Sequence, residues 1–132
     1  MCQDQHPAGQ MPESGTASVL GQPAISRVVA VDHLMIRVSN FNKSLAFYRQ
    51  LFDFLGFEMI DDFTDMIGWR NGRTAFWIAG TDKTGWKRAF RPDDVGLHHY
   101  AFELRGRQDV DELQDFLKKI DTEIVDPAST SP

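Results

Sequence analysis

The chain has almost no cysteine and no long apolar run, and each absence excludes a class of protein. Cys2 is the single cysteine among 132 residues, so no disulfide can form within the chain. No apolar run approaches the roughly 18 residues of a membrane span. The N-terminus also lacks the basic start and apolar block of a signal peptide. We therefore expect a cytoplasmic protein in a reducing compartment, with no membrane segment.

Positive charge is scarce as well. Lys and Arg number 14 against 19 Asp and Glu, for a net charge of −5. This balance argues against nucleic acid or an anionic membrane as a partner. With 42% hydrophobic and 25% charged residues, the composition is that of a soluble globular protein.

Composition divides the chain into a tail and one domain. Residues 1–26 are rich in Gln, Pro, Gly and Ser without a hydrophobic period, which predicts a disordered tail. Residues 27–132 form the predicted domain, and its length suffices for a core. We divide it into a first module (27–80), a linker (81–95) and a partial second module (96–132).

The first module begins with a predicted strand and helix. "RVVAVDHLMIRVS", residues 27–39, is β-branched and apolar, which indicates a strand. Asn40 or Asn42 can cap the following helix, and Gly56 can end it in the left-handed conformation. The apolar stripe of this helix recurs at helical spacing and comprises Phe41, Leu45, Tyr48, Phe52 and Leu55.

Further strands and a second helix follow. Residues 57–62 predict a short strand, and Asn71-Gly72 predicts a hairpin between the next two strands. The apolar run "VGLHHYAFEL", residues 95–104, predicts a buried strand. Residues 107–120 show a second helical stripe, and "TEIVDP", residues 122–127, predicts a last strand.

The two halves of the domain repeat. A shift of 66 residues places "DHLMIRV" on "HHYAFEL", so that His33 falls on His99, and places the helix at 43–55 on 109–121. With a slip of one residue, "FEMI" falls on "TEIV". Strand, helix and strand recur in the same order, which indicates a duplicated βαβββ module. Two strands of the second copy are missing from the 132 residues.

Several of these motifs together resemble the vicinal oxygen chelate superfamily, which includes glyoxalase I, fosfomycin-resistance proteins, bleomycin-binding proteins and extradiol dioxygenases. The motifs are His33 on the first strand, Asn-x-x-x-Ser entering the helix, Phe47-Tyr48, Leu55-Gly56-Phe57, and His99 before Tyr-Ala-Phe. The resemblance covers residues 28 to about 127. It implies an α+β fold of paired βαβββ modules that form a curved, mixed, mostly antiparallel sheet, with the second module incomplete.

Strand alternation predicts a metal site between the two histidine-bearing segments. Side chains two apart share a face, so His33 shares one with Met35 and Arg37, while His99 shares one with Ala101 and Glu103. His98 is then predicted to point away from His99. Imidazole is a ligand for divalent Zn, Ni, Fe, Co or Mn, which makes His33 and His99 the predicted metal ligands. The alternative is that both histidines only pack.

The predicted substrate pocket follows from the same faces. Arg37 could hold a substrate carboxylate or phosphonate. The predicted pocket residues are Met35, Arg37, Trp77, Ala101 and Glu103.

The chain departs from the resemblance where further ligands are required. Metal-binding relatives need a carboxylate on the last strand of the second module, and this sequence ends before that strand. Glyoxalase I also uses a Glu on the fourth strand, and "RTAFWIAG" has no acid. Glu103 lies about 13 Å along the strand from His99 and is too distant to substitute. The sequence supplies two ligands where catalytic sites have three, so either the chain is truncated or the site is degenerate.

Two functions therefore remain open. The first is a metal-dependent lyase, transferase or dioxygenase that acts on a small substrate with neighbouring oxygens. The second is a non-catalytic, bleomycin-resistance-like protein that binds a small molecule. Because an incomplete module leaves sheet edges exposed, a homodimer is expected in either case.

Overall fold

The computed structural model describes residues 25–129. The chain divides between Val31 and Asp32 into two units, and every helix and strand described here lies in the second. All but two residues of the predicted tail lie outside the described residues. The first strand begins at His33 rather than at Arg27. Its register places His33 beside Ala75, one residue after the start of the neighbouring strand at Thr74.

A four-stranded mixed sheet and two helices make up the second unit. The sheet order is β1-β4-β3-β2, in which β1 is parallel to β4 and the other neighbours are antiparallel. This open sheet confirms the predicted α+β class and the first βαβββ module. The elements are β1 (His33–Val38), α1 (Phe41–Phe54), β2 (Glu58–Asp62), β3 (Met66–Asn71), β4 (Thr74–Gly80) and α2 (Arg107–Lys119).

Both ends of α1 are closed by the residues that the sequence predicts. Asn40 is the N-cap, and its side chain accepts a hydrogen bond from the N–H of Lys43 at 3.1 Å. At the other end Gly56 has φ +80°, and the N–H of Phe57 donates to the carbonyl of Phe52 at 2.8 Å. The Phe52 and Phe57 rings are 4.7 Å apart, which completes a Schellman cap with its apolar contact.

The core lies between α1 and the sheet. Phe52 is fully buried against the helix-facing residues of β3 and β4. Leu34 and Ile36 of β1 pack against this core, whereas His33, Met35 and Arg37 are exposed. Burial of each large apolar side chain contributes about 1.5–3 kcal/mol. The buried cluster consists of Phe52, Ile67, Trp69, Phe76 and Ile78.

The predicted hairpin between β3 and β4 is present, but its turn lies one residue later than predicted. Asn71 pairs with Thr74, so the loop consists of Gly72 and Arg73. Gly72 has φ +55°, and Arg73 does not have a positive φ. A glycine with positive φ at the first loop position is the pattern of a type II′ turn, which suits the twist of a hairpin.

The two strands predicted in the second half do not form. Residues 95–104 and 122–127 have no strand pairing, and of the predicted elements there only α2 is present. A strand requires a neighbour for its N–H and C=O groups, whereas a helix satisfies most of them internally. No residue of α2 is fully buried, although Phe116 stacks on Phe54 of α1 at 4.3 Å. Among the described residues, no helix has both the length and the apolar character to cross a membrane.

Candidate functional site

A pocket of about 870 Å³ lies along the outer edge of β1, the side that does not face β4. Four parts of the chain line it. These are residues 35–39, which comprise the last four residues of β1 and the residue after it, Ser44 and Tyr48 of α1, several residues between 81 and 90, and residues 97–100. The pocket therefore joins the first module, the linker and the start of the second module.

The charged side chains that line this pocket are basic. Arg37 and Arg88 contribute guanidinium groups, and no acidic side chain belongs to the described lining. The Nη1 of Arg37 donates to the carbonyl oxygen of Gly80 at 2.7 Å, which fixes the guanidinium at the end of β4. Because a guanidinium has five N–H donors, this bond leaves others for a ligand.

The linker holds its pocket-facing residues through its own hydrogen bonds. Asp82 accepts from the N–H groups of Thr84 at 2.9 Å and Gly85 at 3.3 Å. The Nε1 of Trp86 donates to the carbonyl of Thr81 at 3.2 Å. The hydrogen bond from the Thr84 side chain is the main cause that holds the pKa of Asp82 below its usual range. A Cβ at Gly85 would clash with the side chain of Thr81, so glycine is the residue that fits there.

Two tyrosines connect α1 to residues 97–100. The hydroxyl groups of Tyr48 and Tyr100 are 3.0 Å apart, and the Tyr100 ring packs on Phe76 at 4.9 Å. Burial, and then the hydrogen bond with Tyr48, raises the pKa of Tyr100. The sequence analysis predicted a buried strand at residues 95–104 and did not predict this pair. The available signal was that a tyrosine in an apolar run needs a partner for its hydroxyl.

The adjacent histidines both line the pocket. The Nδ1 atoms of His98 and His99 are 2.7 Å apart, and their ring centroids are 5.0 Å apart. The prediction that His98 points away from His99 is wrong, because these residues form no strand and need not alternate. His33 is not among the lining residues, and its Nδ1 donates to Asp32 at 2.9 Å. This hydrogen bond, with the charge of Arg70, lowers the pKa of Asp32.

The predicted site residues separate into two groups. Met35, Arg37 and His99 line the pocket; His33, Trp77, Ala101 and Glu103 are not part of its lining. Trp77 is half-buried and lies on β4, the strand between β1 and β3. A Cβ added to Gly68 would lie 2.6 Å from the Trp77 ring. The pairing of His33 with His99 as metal ligands stays a prediction.

The donor groups do not fit a resident three-ligand metal centre. Within residues 25–129, no three or more His, Cys, Asp or Glu side chains are grouped closely enough to hold a metal ion. A catalytic zinc site normally has three protein ligands and an open position. The described residues therefore do not supply the centre that the resemblance implies.

Comparisons with known proteins agree with this fold. A family model described as the Glyoxalase/Bleomycin resistance protein/Dioxygenase superfamily matches residues 30–132. No curated protein matches the chain. A solved structure of a candidate glyoxalase from Bacillus halodurans is 28% identical, with a TM-score of 0.65 over 70% of each chain. Lactoylglutathione lyase from Agrobacterium tumefaciens is 19% identical, with a TM-score of 0.55 over 75% of each chain, a likeness in fold alone.

Proposed function

The chain belongs to the Glyoxalase/Bleomycin resistance protein/Dioxygenase superfamily, and we propose that it binds a small organic anion in the pocket beside β1. The observation that carries this proposal is the lining, which combines two guanidinium groups with aromatic and aliphatic walls and has no acid among its described residues. Ligand sites are commonly apolar cavities of about 300–1,000 Å³ with a few polar groups that orient the ligand.

The positions of the two arginines suit a carboxylate or phosphonate. The bond to Gly80 orients the Arg37 guanidinium before a ligand arrives, which reduces the entropy lost on binding. A planar guanidinium can bind such an anion through two parallel hydrogen bonds. Tyr48, Phe90 and Tyr100 provide ring surfaces for the organic part of the ligand. This proposal corresponds to the non-catalytic, bleomycin-resistance-like function.

Thermal unfolding with matched ligands tests the proposal. Phenylphosphonate should raise the melting temperature in proportion to the logarithm of its concentration, whereas benzamide, which has the ring but no charge, should have little effect. Arg37→Gln and Arg88→Gln should each weaken phenylphosphonate binding by about tenfold or more. Arg73→Gln is the control, because Arg73 lies in the β3–β4 turn and does not line the pocket. Equal stabilisation by benzamide would contradict the proposal.

A metal-dependent enzyme is the second candidate. The position of His99 in the pocket lining and the 28% identity to a candidate glyoxalase favour it. In this function His33 and His99 would bind a divalent Zn, Ni, Fe, Co or Mn ion, which would act as a Lewis acid toward two neighbouring substrate oxygens. Metal analysis of the purified protein and an assay of lactoylglutathione lyase activity test this candidate. Metal-free protein that binds phenylphosphonate and has no activity would exclude it.

Assembly and location complete the proposal. We propose a homodimer, because β1 and β2 are edge strands of the described sheet and exposed edges associate. A monomer in light scattering across micromolar concentrations would refute the dimer. We also propose a cytoplasmic location, since the single Cys2 is compatible with a reducing compartment.

A further inference from the structure

The linker carries a basic and aromatic surface outside the pocket. We propose that residues 83–91, "KTGWKRAFR", dock the protein on the surface of an anionic phospholipid bilayer. Every non-glycine residue of this basic–aromatic segment is exposed. Docking at this surface is independent of anion binding in the pocket. The cationic and aromatic side chains of the segment are Lys83, Trp86, Lys87, Arg88, Phe90 and Arg91.

Charge is distributed unevenly along the chain. The net charge of −5 argues against an anionic partner, but the segment holds four of the 14 Lys and Arg and none of the 19 Asp and Glu. Its charge is therefore +4, and that of the remaining chain is −9. Within residues 25–129, the one ion pair of these four cations joins Arg91 to Asp94 at 3.8 Å. Because charges more than about 8 Å apart are largely screened at physiological ionic strength, a surface that contacts only this segment meets a positive charge.

The two aromatic rings can enter the boundary between lipid headgroups and acyl chains. Trp86 is 57% exposed and Phe90 is 68% exposed. The Nε1 of Trp86 already donates to the carbonyl of Thr81 at 3.2 Å, so the indole can leave water without losing a hydrogen bond. The N–H of Arg88 donates to the carbonyl of Gly85 at 3.0 Å, which forms the turn before docking and reduces the entropy lost. Tryptophan is enriched at membrane interfaces for its amphipathic ring.

Neighbouring aliphatic side chains favour a bilayer over single-stranded nucleic acid. Nucleic acid would use the same cations and would stack its bases on the rings. Val95 is fully exposed, and Leu97 is 49% exposed and borders the pocket together with Phe90. Base stacking makes no use of aliphatic side chains, whereas the acyl boundary accepts aliphatic and aromatic groups alike. Cytoplasmic membrane leaflets carry anionic lipids, which agrees with the proposed location.

The test is a vesicle titration of the full chain, followed by tryptophan fluorescence and by sedimentation. The vesicles contain phosphatidylcholine alone or with about one-third phosphatidylserine. Trp69 is buried and Trp77 is half-buried, so a shift of the emission to shorter wavelength reports on Trp86. We expect binding and this shift with phosphatidylserine vesicles only. Binding should be lost in about 1 M salt, where the Debye length is about 3 Å.

Matched variants locate the contact. Lys83→Gln combined with Lys87→Gln should lower the affinity for phosphatidylserine vesicles by about tenfold or more, since each cation near an anionic surface contributes about fivefold. Lys118→Gln combined with Lys119→Gln is the control, because it changes the net charge equally on the exposed last turn of α2. Trp86→Phe should still bind but should lose the emission shift. None of these residues lines the pocket, so stabilisation by phenylphosphonate should be unchanged in all three variants.

Several results would overturn the proposal. Absence of binding to phosphatidylserine vesicles, or equal binding to phosphatidylcholine alone, would exclude an electrostatic docking surface. Equal losses in the two lysine variants would place the contact outside the segment, and an unshifted emission would show that Trp86 stays in water. Tighter binding of an oligothymidylate than of phosphatidylserine vesicles would assign the segment to nucleic acid. If a lysine variant does not fold, the salt dependence and the Trp86 shift of the wild type decide. Phenylphosphonate titrations without vesicles test the pocket separately.

Discussion

The two copies of the repeat have similar sequence patterns and different structures. The first copy, residues 33–80, forms a helix and four hydrogen-bonded strands, whereas the second, residues 96–129, forms only α2. The difference shows which structures a short segment can form alone. Most hydrogen bonds of a helix lie within the helix, but each strand depends on a neighbour that another part of the chain must supply.

The helix ends preserve the repeat most clearly. Asp121 lies 65 residues after Gly56 and has φ +60°, the same left-handed conformation. After it, the N–H of Thr122 donates to the carbonyl of Leu117 at 2.9 Å, as Phe57 does to Phe52 in the first copy. The same cap is therefore built with glycine in one copy and with aspartate in the other.

Truncation of equivalent helix residues should give the largest difference between the copies. Phe52→Ala should destabilise the protein by about 3–5 kcal/mol, because Phe52 is fully buried at the centre of the aromatic core. Leu117→Ala, at the matching position of α2, should cost less than about 2 kcal/mol, because Leu117 is only half-buried. Urea unfolding monitored by circular dichroism measures both. Equal losses would mean that α2 is part of the same core.

Substitution of one glycine in each copy compares how tightly the two copies are packed around that position. Gly68→Ala should cost about 1–3 kcal/mol, because the new Cβ would lie 2.6 Å from the Trp77 ring. Gly106→Ala, in the second copy, should cost less, about 0.5–1 kcal/mol, because nothing lies within 4 Å of the new Cβ and only the preference of the α2 N-cap for glycine over alanine is lost. Thermal unfolding of the two variants and the wild type measures both changes in stability. A neutral Gly68→Ala would show that Trp77 can move away.

The caps should respond in opposite directions. Gly56→Ala should destabilise by about 1 kcal/mol, because a Cβ is unfavourable at φ +80°. Asp121→Gly should stabilise by up to about 1 kcal/mol, because it removes that strain from the end of α2. Chemical denaturation of the two single variants and the double variant tests whether the effects add. Destabilisation by Asp121→Gly would contradict the shared cap.

An effect of similar size to that of the caps concerns the hydroxyl pair that links the copies. The raised pKa of Tyr100 means that the folded chain holds this proton more tightly than the unfolded chain does. Its stabilising contribution is therefore complete below about pH 10 and declines as the pH rises beyond that value. Tyr100→Phe should lower the free energy of unfolding by about 0.5–1.5 kcal/mol at neutral pH. As the pH rises above about 10, the unfolding free energy of this variant should fall less than that of the wild type. Parallel pH profiles would refute this role of the hydroxyl.

Local signals predicted the first copy well. The cap at Asn40, the left-handed Gly56 and the β3–β4 hairpin each depend on a few consecutive residues, and all three are present. The strand predicted at residues 95–104 failed because its formation depends on a partner strand rather than on its own residues. The prediction that His98 points away from His99 failed with it.

The pocket was harder to predict for a related reason. Tyr48 and Tyr100 are 52 residues apart, and periodicity within one segment does not report such a contact. The linker is ordered by hydrogen bonds that Asp82 accepts, and the sequence analysis defined residues 81–95 only as a linker. Arg37 lies on a strand that forms and lines the pocket, and its role toward a ligand stays a prediction.

Among the described strands, none pairs with the edge of β1 that borders the pocket, and this position makes two processes compete. One side of β1 is paired with β4, and the other borders the pocket. A strand that joined β1 would lie about 4.8 Å from it and would fill the same space. Sheet extension at this edge and ligand occupancy are then mutually exclusive and linked by mass action. A ligand would therefore dissociate dimers formed through β1. Conversely, dimer formation at higher protein concentration would weaken the apparent affinity for the ligand, and the coupling free energy is the same in both directions.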